Sequence, residues 1–202
     1  MAQRLSSDVG IQLLINALSI VLALGLSIQL LGPISGGHFN PLVTLVQRAR
    51  KEMGTTAAIG YVASQCAGGV VGAVIANLMF GRPAIIMSTH VRTGTPVWLG
   101  EVVATAGLFL IIFISIFRGG EKFIPILVPA WIASAIFFTV STAFANPMVT
   151  ISRSLTDTFT GIKASCLPMF IVAQSVGAII GFFLAKFLVK GARNNVHKNH
   201  LQ

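Results

Sequence analysis

One short block, carried twice, sets the terms for this chain. Residues 35–48 read S-G-G-H-F-N-P-L-V-T-L-V-Q-R, and residues 142–153 read T-A-F-A-N-P-M-V-T-I-S-R. Aligned on Asn40 and Asn146, both give Asn-Pro, a bulky apolar residue, Val-Thr and a further apolar residue. Asn-Pro is ordinarily turn punctuation, yet each copy follows a long uncharged run and opens a short apolar segment. Pro is tolerated in the first helical turn, where its missing N–H would have no partner, and Asn before it can cap that turn. Each copy therefore predicts a helix that starts at membrane depth, led by Asn40–Pro41 and by Asn146–Pro147.

The surroundings of the two blocks are membrane-like. Residues 11–31, 55–80, 97–117, 123–144 and 164–189 are each long enough to cross a hydrocarbon layer of roughly 30 Å, which takes about 20 residues. Within them the only charges are Glu101 and Lys186. Charged residues make up 9% of the chain, far below the roughly one quarter of a soluble domain. The net charge of +9 would suggest nucleic acid in a soluble protein, but here the Lys and Arg residues fall mainly in loops and tail, as the positive-inside rule expects. No nucleic-acid partner is expected. No secretory signal peptide is evident, because residues 1–8 are polar and the apolar run behind them is too long for a signal core. Cys66 and Cys166 read as small packing residues rather than a disulfide or metal pair.

A second duplication supports the first. Gln65 opens Q-C-A-G-G-V-V-G and Gln174 opens Q-S-V-G-A-I-I-G, each containing the G-x-x-x-G spacing that lets transmembrane backbones approach closely. The order is span, Asn-Pro segment, span, twice over, with the two copies entering in opposite directions. The expected fold is an all-α integral membrane protein: an inverted repeat of five full transmembrane helices and two re-entrant half-helices, its site near the midplane. The single domain divides into a first repeat over 9–80, a second over 97–190 and a cytoplasmic tail over 191–202. Arg48, Arg50, Lys51, Arg118, Lys122, Lys186, Lys190, Arg193 and Lys198 fall on one side and outnumber Arg4, Arg82, Arg92, Arg153 and Lys163 on the other, which places the first group in the cytoplasm.

These residues resemble the aquaporin and glycerol-facilitator family, the major intrinsic proteins. S-G-G-H-F-N-P-L-V-T-L is similar to the first signature loop of that family and F-A-N-P-M-V-T-I to the second, while Glu101, in W-L-G-E-V-V-A-T, matches its buried fourth-helix glutamate. The resemblance implies a multi-pass plasma-membrane channel, a homotetramer with one pore per subunit, and no cofactor. Three departures stand out. The segment ahead of Asp8 is too short for the family's first helix, so a missing N-terminus is expected over a true five-span channel. The third signature positions are Leu42 and Met148 instead of alanine. Val149 stands where the family usually places an arginine three residues after its second Asn.

The chemistry expected of the site follows from the half-helices. Two N-termini facing each other bring about half an elementary positive charge apiece to the midplane. The Asn40 and Asn146 amides add N–H donors there, and extended segments over Gly36, Gly37, His38 and Phe39 and over Ala143, Phe144 and Ala145 offer carbonyl acceptors. Neutral solutes are accommodated and cations are refused. His38 either faces the inner pore or braces its loop by a hydrogen bond. Glu101 is expected to brace the Asn146 loop by accepting its backbone N–H groups. By offset from the two asparagines, the resemblance places the outer constriction at Ile20, Ser134, Ala143 and Val149, a ring wide and apolar enough for glycerol or metalloid acids such as arsenous acid, with water also possible. Arg153, one turn beyond Val149, lies either in the outer vestibule or at headgroup level paired with Asp157, the latter being the plainer expectation. The competing readings are a non-conducting or truncated homologue and, with a single intramembrane carboxylate, less favourably a secondary transporter. No enzyme is expected, since no nucleophile–base pair or metal-ligand cluster appears.

Overall fold

In lipid every backbone N–H and C=O must find an internal partner, so uncharged runs of this length fold as helices. The computed structural model describes residues 1–199, with side chains through Ala192. The order is α1 (Ala2–Leu5), α2 (Val9–Ser35), α3 (Pro41–Ala49), α4 (Thr55–Met79), α5 (Thr95–Phe117), α6 (Ile124–Phe138), α7 (Pro147–Arg153) and α8 (Leu167–Asn199). Among the described residues five helices are long and apolar enough to cross a membrane: α2, α4, α5, α6 with its 3-10 lead-in, and α8. The two short Asn-Pro helices, α3 and α7, lie between them.

Two expected boundaries shift. The fourth span stops at Phe138 because Thr139 turns its Oγ1 back to Ala135 O at 2.7 Å, and Thr142 and Ala143 then take left-handed φ values of 62° and 48°. The tail expected over 191–202 continues α8 as helix to Asn199, and its last three residues, His200 included, lie outside the described residues.

Periodicity decides which faces meet lipid. Leu14, Leu18, Leu22, Leu26 and Leu30 recur every fourth residue along α2 and are all exposed, while Ala17 and Ile28 are buried. The core gathers around α5, where Phe109 and Phe113 are fully buried and Phe113 meets Phe182 of α8 edge-on at 4.9 Å. That contact requires glycine: a Cβ at Gly177 would lie 2.5 Å from Val102 O, and one at Gly181 would lie 2.1 Å from Ala106 O. The matching glycines of α4 behave differently. Gly68 and Gly72 have nothing within 4 Å, and α4 packs instead through Gly69 onto Met148 and Ser152 of α7. One copy of the small-residue motif is closed and the other is bare.

Residues 86–90 run beside the segment after α7. Ile86 N donates to Leu155 O at 3.1 Å, Ser88 N to Ser154 O at 2.9 Å, and Lys163 N to His90 O at 2.7 Å. Asp157 ties the two segments together, accepting from Thr89 N at 3.0 Å and Thr89 Oγ1 at 3.2 Å, with His90 Nε2 3.8 Å away.

Candidate functional site: two opposed half-helices on one cavity

Asn40 and Asn146 cap α3 and α7 from extended backbone, and Pro41 and Pro147 occupy the first helical positions. Asn40 Oδ1 accepts from Leu42 N and Asn146 Oδ1 from Met148 N, both at 3.0 Å. That fixes each amide so that Nδ2 points the other way. Asn40 Nδ2 donates to Ala145 O at 2.8 Å, and Asn146 Nδ2 donates to Phe39 O at 2.7 Å. The exchange is reciprocal: each asparagine caps its own helix and holds the loop of the other. An amide NH2 carries two hydrogens, so one N–H of each asparagine remains, and both residues line a common cavity of about 400 Å³.

The segments ahead of the asparagines are kinked rather than extended as expected. Gly36 and Gly37 have φ of 75° and 57°, while Phe39, Ala143 and Ala145 have φ of 44°, 48° and 50°. Left-handed backbone costs a non-glycine residue about 1–2 kcal/mol, and the Phe39 and Ala145 carbonyls are held there by the asparagine amides. Gly36, Gly37, His38, Phe144 and Ala145 all line the cavity. The carbonyls of Gly37, His38, Ala143 and Phe144 accept no hydrogen bond among the described residues.

Glu101, fully buried on α5, supplies what the second loop lacks. Its Oε1 accepts from Phe144 N and its Oε2 from Ala145 N, both at 2.9 Å, and Gln174 Nε2 adds a third bond to Oε2 at 2.7 Å. Gln174 also reaches Thr150 Oγ1 at 2.8 Å, mirrored in the first repeat by Gln65 Nε2 to Thr44 Oγ1 at 2.9 Å. The symmetry stops there, because the N–H groups of His38 and Phe39, in the positions of Phe144 and Ala145, have no partner among the described residues. His38 Nδ1 lies 3.0 Å from Thr44 Oγ1, and the residue borders the cavity.

Of the four residues expected at a constriction, Ile20, Ala143 and Val149 line the cavity and Ser134 does not. Ser134 is exposed, with its Oγ donating to Ala130 O at 3.0 Å. The cavity face of α6 is Ile124, Val128 and Ile132, at four-residue spacing, and two residues past Ile132 a helix has turned to its far side. The offset failed because α6 ends early and a loop absorbs the difference. Ile132, not Ser134, is the residue of this part of α6 that lines the cavity.

Arg153 also lines the cavity, and the expected pairing with Asp157 is absent, since Asp157 is engaged by Ser88, Thr89 and His90. Its guanidinium carbon lies 4.3 Å from the centre of the Phe144 ring. A second guanidinium, that of Arg92, lies 5.3 Å from the same ring. Sequence reasoning missed Arg92, whose anchors are carbonyls far along the chain: Gly161 O at 2.8 Å, Phe159 O at 3.0 Å and Ser141 O at 3.4 Å. Towards the opposite end the cavity runs into a wider mouth of about 770 Å³, sharing Ile28, Gly36, His38 and Gln47 with it and adding Arg50, Glu52, Glu121 and Lys122.

Comparison with known proteins agrees with this geometry. The family model described as major intrinsic protein matches residues 1–140 and 127–202. The chain is 40% identical over 193 residues to aquaglyceroporin AqpS of Rhizobium meliloti (strain 1021), covering 96% of this chain and 82% of that protein. It is 28% identical over 189 residues to glycerol uptake facilitator protein-like 6 of Lactiplantibacillus plantarum, covering 86% of each. A shorter match, 47% identical over 74 residues, is to aquaporin-8 of Notomys alexis, covering 37% of this chain and 28% of that one. With both Asn-Pro half-helices crossing their caps over one cavity and the family model spanning both repeats, the chain belongs to the major intrinsic protein family.

Proposed function

We propose that the protein is a passive transmembrane channel for small uncharged solutes, with glycerol the first permeant to test and metalloid acids and water as further ones. The observation that carries this reading is the reciprocal capping of Asn40 and Asn146. It sets two helix N-termini on one cavity, each with an amide N–H left over. A neutral hydroxyl accepts from those amides and donates to the free loop carbonyls, so it exchanges water for equivalent partners. A cation meets two positive helix ends and finds too few ligands to replace its hydration.

Beyond the midplane the wall is formed by Ile20, Ile132, Ala143 and Val149. Apolar residues there offer single-file water few partners and accommodate the carbon edge of an amphipathic solute. Glu101 is the brace that keeps the second loop open. The names of two relatives, an aquaglyceroporin and a glycerol uptake facilitator-like protein, point to the same solute class. The repeats over 9–80 and 97–190 act as the two halves of the pore. The side bearing Arg48, Arg50 and Lys51 faces the cytoplasm of a plasma membrane, and the assembly is a homotetramer.

Stopped-flow light scattering of proteoliposomes under a glycerol gradient tests the reading. A channel gives accelerated swelling with low temperature dependence and no requirement for an ion gradient. Swelling that requires a sodium or proton gradient indicates a transporter, and rates equal to empty liposomes indicate a non-conducting protein; either result overturns the proposal.

A further inference from the structure

Two arginines share the Phe144 ring, and they differ in one respect. Arg92 donates from Nε, Nη1 and Nη2 to three loop carbonyls, which fixes it as part of the wall. Among the described residues the guanidinium of Arg153 makes no hydrogen bond; its Nη1 is buried without a partner, and it lies over the face of Phe144 at the cavity. A guanidinium is a planar fork of five donors with no acceptor, and burying one unpaired is costly.

The charges close enough to act on Arg153 are those of Arg92, which repels it, and Glu101, which attracts it. The Glu101 carboxylate is already engaged by Phe144 N, Ala145 N and Gln174 Nε2. Two guanidiniums against one committed carboxylate leave an excess positive charge beside the cavity. The C-terminal end of α7 offers partial compensation through its dipole, but its last carbonyls are taken by Ser154 N, Leu155 N and Ile162 N and place no acceptor on the fork. What the site lacks is a pair of anionic oxygens at the spacing of a guanidinium edge, the arrangement that makes Arg–carboxylate pairs bidentate and strong.

We propose that Arg153 forms an anion site at the outer mouth of the cavity, taking a small carboxylate such as formate in its fork and thereby blocking the path of neutral solutes. The proposal rests on reading the cavity as the solute path. Arg153 shares the cavity wall with the apolar Ile20, Ile132 and Val149, so an anion held in the fork sits in the passage and narrows it. Chloride, a sphere without paired oxygens, binds the same charge less well.

Two readouts test this at neutral pH and matched ionic strength: glycerol flux in proteoliposomes, and the melting temperature of the purified protein in detergent. Formate is expected to slow glycerol flux and raise the melting temperature of the parent protein, with chloride weaker in both. In Arg153→Leu both responses to formate are lost; in Arg153→Lys, which keeps the charge without the fork, formate acts about tenfold more weakly, the loss expected of one charge-assisted bond. Equal formate responses in the parent and in Arg153→Leu, or no stabilisation of the parent by formate, overturns the anion site. Absent glycerol flux in the parent without formate contradicts the channel reading instead, and the melting measurement then decides the anion site by itself.

Discussion

Glu101 accepts two backbone N–H groups that no helix could satisfy, those of Phe144 and Ala145. Glu101→Leu orphans both in a buried setting at about 1–3 kcal/mol each, so thermal unfolding in detergent is expected to fall by several degrees; unchanged unfolding would remove the bracing role. Val149 lines the cavity, and if it bounds the narrowest point Val149→Arg is expected to reduce glycerol flux more than water flux, whereas equal reductions would place the constriction elsewhere. Residues of this kind were legible in the sequence because their partners lie at fixed offsets within a duplicated block: both asparagines, both prolines and Glu101 are found where the pattern puts them. Ser134 was not legible, because a helix offset carried across an unseen loop loses the face of the helix. Arg92 gave no local signal at all, since what makes it structural is three carbonyls in loops some 50–70 residues further on.

At the scale of the element, the same motif has two fates. Gly177 and Gly181 let α8 reach the α5 backbone, whereas Gly68 and Gly72 of α4 meet nothing. Gly181→Ala is expected to destabilise the protein by about 1–3 kcal/mol through overpacking, and Gly72→Ala to leave the unfolding temperature of the monomer unchanged. Equal losses would mean that α4 has a partner on that face. The open N–H groups of His38 and Phe39 lie in the repeat with the bare glycines, so the first repeat is the less completed of the two. The sequence announced the duplicated helices but not this asymmetry, because identical small-residue spacing says that a face can be packed and nothing about what packs it. The kinks ahead of each asparagine were likewise hidden: left-handed φ at Phe39 and Ala145 is held by cross-loop bonds, not by residue preference.

For the whole molecule, the outer loops and the cavity make separate demands. Asp157 fastens the segment over 86–90 to the segment after α7, and its carboxyl is held below the ordinary value of 3.8, first by the Thr89 backbone N–H. A carboxyl with a depressed folded-state pKa stabilises fully above its unfolded value and loses that contribution as pH falls through the folded one. Limited proteolysis of the outer loops is therefore expected to quicken as pH falls below about 4, and Asp157→Asn to be quick at every pH; a parent rate insensitive to acid would discount the clamp. The cavity asks whether the opposed half-helices bound a through-path. Val149→Cys places a thiol on its wall, and the parent chain, with Cys66 and Cys166, is the control. The decisive measurement is glycerol flux through Val149→Cys proteoliposomes before and after a membrane-impermeant methanethiosulfonate reagent. Flux is expected to collapse in the variant and persist in the parent; a fully labelled variant that conducts as before would contradict a solute path between Asn40 and Asn146.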